Sequence, residues 1–163
     1  MSIELLLRNT ANRYPTQPAI TQGLNTITYS EFDARVNGFA QRLLDLGLSP
    51  GARVCVLMEN RPEMLISYLA VFRSGACVVP LNARFVLDDV EYHIADSGAS
   101  VLIHSDGYSD LASGLPSDVI KVCVDEAERR WLEPAPSTFK FPMINLSDSA
   151  WLFYTSGTTG RPK

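Results

Sequence analysis

ARVCVLMENRPEMLISYLAVFRSGACVVP, residues Ala52 to Pro80, is the stretch that decides the fold. Arg53 to Leu57 opens it with a continuous apolar run, the pattern of a strand covered on both faces. Asn60-Arg61-Pro62-Glu63 then starts a helix, because proline is tolerated in a first turn. Met64, Leu65, Tyr68, Leu69 and Phe72 mark the inner stripe of that helix, read as core packing rather than an acyl pocket. Gly75 ends it, and Ala76 to Val79 forms a second strand closed by Pro80. Strand, helix and strand in this order make a parallel crossover.

The same alternation extends outward. Upstream, Ile3 to Arg13 predicts a short amphipathic helix ended by Tyr14-Pro15. Ala19 to Thr21 and Thr26 to Tyr29 predict a hairpin around Gly23-Leu24-Asn25. Ser30 and Asp33 are spaced as a capping box for the next helix, with Phe32, Val36, Phe39, Ala40, Leu43 and Leu44 at helical intervals and Gly47 as its stop. Downstream, a helix is expected over Asp88 to Asp96, with Asp88-Asp89 favouring its N-terminus rather than a metal. Gly98 stops it, and strands follow at Val101 to Ile103 and Val119 to Val124. The pattern weakens from Glu126 to Ser147, where Pro134, Pro136 and Pro142 suggest an extended surface connection. Ser149 to Tyr154 resumes as a strand. The expected fold class is α/β, a mostly parallel sheet with helices on both faces.

With 163 residues, the chain suits a single core, and 46% apolar with 20% charged residues is ordinary for a globular domain. The net charge of −4 argues against a nucleic-acid partner, whose phosphates require clustered Lys and Arg. Arg129-Arg130 is too short for such a patch. Cys55, Cys77 and Cys123 each stand in an apolar run and read as buried reduced thiols. No run approaches the length that spans a bilayer, and no signal peptide is evident. A reducing cytoplasm fits these features. His93 and His104 show no acidic or thiol partner in the sequence and are expected in surface or capping roles. Trp131 and Trp151 are expected to anchor packing.

One stretch carries chemistry. Thr155-Ser156-Gly157-Thr158-Thr159-Gly160-Arg161-Pro162-Lys163 follows the last strand. Its glycines let backbone approach a ligand closely, and successive amides in such a turn can form an anion nest. Four hydroxyls add donors, and Lys163 adds a positive charge suited to phosphate. Together they describe a polyphosphate cradle at the carboxyl end of a strand. It is not a Walker A loop, because only two residues separate Gly157 from Gly160 and Arg161-Pro162 precede Lys163.

Tyr154 to Lys163 closely resembles the phosphate-binding signature of the adenylate-forming enzymes, the family of acyl-CoA synthetases, non-ribosomal adenylation domains and luciferases. Ile27 to Phe32 is similar to that family's early Thr-Tyr-x-Glu-Leu segment. Phe72 to Asn82 resembles its Gly-Ala-x-x-Val-Pro core segment, and Asp96-Ser97-Gly98-Ala99 resembles another recurrent turn. The resemblance implies that a carboxylic acid attacks ATP to give an acyl-adenylate and pyrophosphate, after which a thiol, commonly that of coenzyme A, takes the acyl group. By position, Thr155, Ser156, Gly157, Thr158, Thr159 and Gly160 would close on the β- and γ-phosphates, and Lys163 would help neutralise the leaving pyrophosphate. Mg²⁺ would bridge those phosphates, with its protein ligand further along a complete chain. No catalytic residue and no metal ligand is assigned within residues 1–163.

Family members are several-fold longer. The resemblance therefore implies the N-terminal portion of an AMP-binding domain, truncated within the phosphate loop, lacking the C-terminal domain and inactive alone. Self-association through surface bared by truncation is expected. A non-catalytic nucleotide-binding or interaction module, a carrier-protein adenylation domain and a luciferase-like enzyme remain as alternatives.

Overall fold

The computed structural model describes residues 3–125, 130–135, 140–145 and 147–155. Helix α1 (Ile3–Arg13) leads into a two-stranded antiparallel hairpin, β1 (Pro18–Gln22) and β2 (Asn25–Thr28). Then come α2 (Tyr29–Asp45), β3 (Arg53–Leu57), α3 (Pro62–Arg73), β4 (Cys77–Pro80) and α4 (Leu87–Ser97). β5 (Val101–His104), the short α5 (Ser109–Ser113) and β6 (Ile120–Cys123) complete the regular elements. Single 3-10 turns occupy Asp106–Tyr108 and Arg130–Leu132.

β3 to β6 form one parallel sheet in the order β4-β3-β5-β6. β3 aligns Arg53 with Cys77 of β4 on one side and Val54 with Val101 of β5 on the other. The period of two along each strand divides the side chains between two cores. Val54, Val56, Val78, Val101 and Ile103 face the layer of α1, α2 and α3. Cys55, Leu57, Val79 and Leu102 face Val90 and Ile94 of α4 and Ala112 of α5. The expected α/β sheet covered on both faces is therefore the observed one. All three cysteines are buried and free.

Three expectations need correction. The helix cap is not Ser30 with Asp33 but Thr28 with Glu31, two residues earlier. The Glu31 carboxylate accepts from the Thr28 amide at 2.8 Å, and the Thr28 hydroxyl accepts from the Glu31 amide at 3.3 Å. Two boxes overlap in the sequence, and glutamate is the longer reach-back residue that the motif favours. Asp33 has another partner: its carboxylate accepts from the Arg73 guanidinium at 2.7 Å. Arg73 is wholly buried, and it also donates to the Asn37 side-chain oxygen at 2.7 Å and the Asp33 carbonyl at 3.2 Å. This ion pair joins α2 to α3.

The second correction concerns the face of α3. Ile66, Ala70 and Val71 are fully buried, Met64, Tyr68 and Leu69 only partly, and Leu65 is exposed. Apolar residues surround this helix nearly completely, so spacing alone does not select a side; packing on β3, β4 and α2 does. The third concerns the strand expected at Ser149 to Tyr154, which is reduced to one parallel bridge between Trp151 and Val78. The Val78 amide donates to the Ala150 carbonyl and the Leu152 amide to the Val78 carbonyl, both at 2.9 Å. The next donor of a parallel ladder would be residue 80, which is proline and has no N–H.

The segment after β6 closes over the α2 face. The Ala135 amide donates to the Ala34 carbonyl at 3.0 Å. Arg42 binds the Glu133 carbonyl and carboxylate, each at 3.0 Å. Gly38 permits this approach, since a Cβ there would collide with the Glu133 carbonyl. Trp131 sits buried with its ring 5.7 Å from Phe39, and Trp151 meets the Tyr68 and Phe72 rings at 5.0 and 4.8 Å. Both tryptophans anchor packing as expected. No described helix is long and apolar enough to cross a membrane.

Candidate functional site

Parallel sheets gather loops at the carboxyl ends of their strands, the place where open α/β folds hold ligands. Here that end carries polar residues in close contact. The Arg61 guanidinium, just after β3, binds the Asp125 carboxylate after β6 through two hydrogen bonds of 2.8 and 2.7 Å. It binds Glu63 at 2.8 Å as well. Its pKa is raised, first by the hydrogen bonds to Asp125 and then, against a desolvation cost, by Glu63. Asp125 also accepts from the Asp106 amide at 3.0 Å, and the Ser105 hydroxyl donates to Glu59 at 2.8 Å. The ends of β3, β5 and β6 are thereby tied to one another. Sequence reading missed this cluster, whose members look like ordinary surface charges one by one.

The segment bridged to β4 travels in the same direction as β4, so it delivers the chain toward that same carboxyl side. Its side chains alternate. Trp151 packs on the α3 face, Leu152 and Tyr154 pack on the α4 face, and Phe153 is exposed. The Tyr154 ring lies edge-on to His93 with centroids 4.5 Å apart. Its hydroxyl donates to the Asp96 carboxylate at 2.6 Å. Burial raises the pKa of the phenol, and the hydrogen bond to Asp96 raises it further. The group therefore stays protonated and remains a donor at neutral pH.

The expected site residues stand as follows. Thr155 is exposed, directly after Tyr154. Ser156, Gly157, Thr158, Thr159, Gly160 and Lys163 lie outside the described residues. The histidines depart from expectation, because both are buried rather than at the surface. His93 Nδ1 donates to the Asp89 carbonyl at 2.6 Å within α4, and its ring is enclosed by Phe85, Tyr92 and Tyr154. His104 closes β5, an interior strand flanked by β3 and β6, and its Nδ1 donates to the Ser105 carbonyl at 2.9 Å. Asp88 and Asp89 occupy the first turn of α4 as expected, with Asp89 accepting from the Val86 amide. No group of three or more His, Cys, Asp or Glu among the described residues could hold a metal ion.

Residues 7–163 match the family described as AMP-binding enzyme. Among curated relatives, a feruloyl-CoA synthase from an Amycolatopsis species is 36% identical over 154 residues, covering 94% of this chain and 30% of the relative. Surfactin synthase subunit 1 of Bacillus subtilis (strain 168) is 33% identical over 171 residues, covering 99% of this chain and 4% of the relative. Among solved structures, the inhibitor-bound N-terminal domain of FACL13 from Mycobacterium tuberculosis superimposes with a TM-score of 0.85 at 28% identity, covering 99% of this chain and 42% of that one. The chain thus spans under half the length of each.

Proposed function

The chain belongs to the AMP-binding enzyme family, and from that premise we propose that it supplies the N-terminal portion of an ATP-dependent acid–thiol ligase. In this reading a carboxylate oxygen attacks the α-phosphorus of ATP, the bond to the bridging oxygen breaks, and pyrophosphate leaves. Coenzyme A thiol then displaces AMP from the acyl-adenylate, giving a thioester. The hydroxyls and glycines of Thr155 to Gly160 hold the β- and γ-phosphates, and Lys163 offsets the charge that grows on the leaving group.

The observation that supports this reading is the sequence signature Tyr154 to Lys163, which follows the residues that Trp151 bridges in parallel to β4. The donor set suits a triphosphate: hydroxyls, backbone amides and an ammonium, with no carboxylate between Thr155 and Lys163. A metal is a different matter. Among the described residues no group of three or more His, Cys, Asp or Glu could hold a metal ion, and the resemblance puts the Mg²⁺ ligand further along a complete chain.

The test is ATP–pyrophosphate exchange by the product of the complete reading frame, measured across aromatic and aliphatic carboxylates. Exchange with at least one acid, lost in Thr158→Ala and Lys163→Ala variants, is the expected result. No exchange with any acid, or full exchange in both variants, overturns the reading. Residues 1–163 alone are expected to show none.

The family resemblance admits a second acceptor, the thiol of a carrier protein in place of coenzyme A. Loading assays with each thiol separate the two.

A further inference from the structure

The parallel sheet reverses its direction of growth between β3 and β5. From β3 the chain crosses through α3 to β4. It then returns through α4 to β5, on the other side of β3, and continues through α5 to β6. α3 packs on one face of the sheet, α4 and α5 on the other. Loops that diverge in this way leave a crevice at the carboxyl ends of the two strands, and open α/β sheets bind ligands there. The segment bridged through Trp151 pairs with β4, so the crevice lies across β3 from it. The Glu59–Ser105 and Arg61–Asp125 hydrogen bonds span the crevice itself. A cavity of about 540 Å³ adjoins it at the ends of β5 and β6.

His104 lines that cavity, although only 3% of its surface is exposed. Its Nδ1 donates to the Ser105 carbonyl at 2.9 Å. Nε2 therefore keeps a lone pair, and no donor among the described residues meets it. His104 is aligned with Cys123 of β6, and Lys121 and Asp125, two positions to either side, line the same cavity. The wall offers acceptors more than donors. The Ser109 hydroxyl gives its proton to the Asp106 carboxylate at 3.3 Å, and the Ser113 hydroxyl to the Asp110 carbonyl at 2.6 Å. Lys121 turns its ammonium to the Leu115 and Pro116 carbonyls. Arg61 meets the charge of Asp125, whereas Asp106 has no cationic partner among the described residues.

We propose that this cavity binds a small organic cation carrying N–H donors, a primary ammonium or a guanidinium group. One N–H donates to Nε2 of His104, and the positive charge rests beside the carboxylate of Asp106. A buried acceptor without a donor is costly, so a ligand that supplies one is favoured. An anion would meet a lone pair and two carboxylates, with the one ammonium on the wall already engaged. No group of three or more His, Cys, Asp or Glu among the described residues could hold a metal ion instead. The site is independent of the ligase reading and involves none of residues 156–163.

The experiment titrates the product of the complete reading frame with butylammonium and with methylguanidinium. Inorganic phosphate and glycerol serve as the anionic and neutral counterparts. Calorimetry gives the affinity, and nitrogen NMR of labelled histidine reports on Nε2. A millimolar dissociation constant for at least one cation is expected, as suits so small a ligand. The Nε2 resonance of His104, assigned by its absence from His104→Phe, should shift while that of His93 stays. Asp106→Asn changes an exposed side chain and leaves the core alone; it should weaken binding about tenfold. His104→Phe should abolish binding, and if that variant does not fold, Asp106→Asn decides. The inference is overturned if neither cation binds, if phosphate or glycerol binds in their place, or if cation affinity is unchanged in Asp106→Asn. ATP–pyrophosphate exchange by the same preparation tests the ligase reading separately, so each can fail alone.

Discussion

Removing the carboxylate of Asp33 should destabilise the fold more than removing the guanidinium it serves. Arg73 has no exposed side-chain surface, whereas Asp33 retains 12%. In Asp33→Ala the guanidinium loses its carboxylate at 2.7 Å and keeps the Asn37 oxygen and the residue-33 carbonyl as neutral acceptors. Water cannot reach the stranded charge, and orphaning a buried ion in this way costs about 3–5 kcal/mol. In Arg73→Met the apolar replacement fills the site, and the freed carboxylate turns toward solvent. The cost is then that of neutral acceptors left unpaired, about 1–3 kcal/mol. Replacing both partners removes the charge problem entirely, so the double variant should be more stable than Asp33→Ala alone by about 2 kcal/mol. Urea unfolding followed by fluorescence of Trp131 and Trp151 measures all four corners of the cycle. The reasoning is refuted if Asp33→Ala costs less than Arg73→Met, or if the two losses simply add.

Three further expectations concern other parts of the molecule. Thr28→Ala should cost about 1 kcal/mol by removing the α2 cap, and it should also change the acid response. The Thr28 amide, then its hydroxyl, lowers the Glu31 pKa, so this contribution is complete above the ordinary carboxylate value and fades as pH falls through the lower folded one. Alanine keeps the backbone amide, so between about pH 6 and pH 3 Thr28→Ala should lose only the hydroxyl's share of this component and keep the larger share of the amide. Burial pushes the Cys55 thiol up to about 12, against a small opposing hydrogen bond with Ser97, so iodoacetamide at pH 8 should label it only as fast as the protein opens. Rapid labelling of Cys55 in the native state, located by peptide mass, would contradict its place on β3 beneath α4. Gly38→Ala should cost about 1–3 kcal/mol and release the strand of chain at Glu133, because its methyl takes the place of the carbonyl that now binds Arg42. Hydrogen exchange at the Ala135 amide reports that release.

Local patterns carried most of the architecture. The bounds of α1 follow from its apolar spacing and from Tyr14-Pro15, and the hairpin from Gly23 between two β-prone runs. The apolar stretch of β3 correctly implied cover on both sides. Errors arose where two local signals were equally good and a distant partner decided. Thr28 and Ser30 both offer a cap, and Arg73, 40 positions from Asp33, claims the second box's acid. The inner side of α3 is similar: an almost uniformly apolar helix has no preferred face until β3 and β4 are present. Ser149 to Tyr154 has strand composition, but its length depends on Pro80 in a neighbour. His93 and His104 were misplaced because a histidine's burial depends on the carbonyl that takes its proton, which spacing does not reveal. The phosphate-binding stretch expected at Thr155 to Lys163 rests on consecutive residues of the sequence alone, and beyond Thr155 it lies outside the described residues. The anchorage of Tyr154 on α4 was not legible, because Asp96 gives no sign of a partner so far away.

The strap over α2 has a consequence for synthesis. Arg42 and Glu133 stand 91 positions apart, and the Phe39 ring gains Trp131 only when that late segment arrives. A nascent polypeptide emerging from the ribosome will therefore have built every helix and strand of the core while one flank of its second helix is still bare. Such an intermediate exposes apolar surface during translation, the condition that recruits a chaperone or leads to clumping. Variants that weaken the strap should reduce soluble yield in cells more than they lower the equilibrium stability of the purified protein.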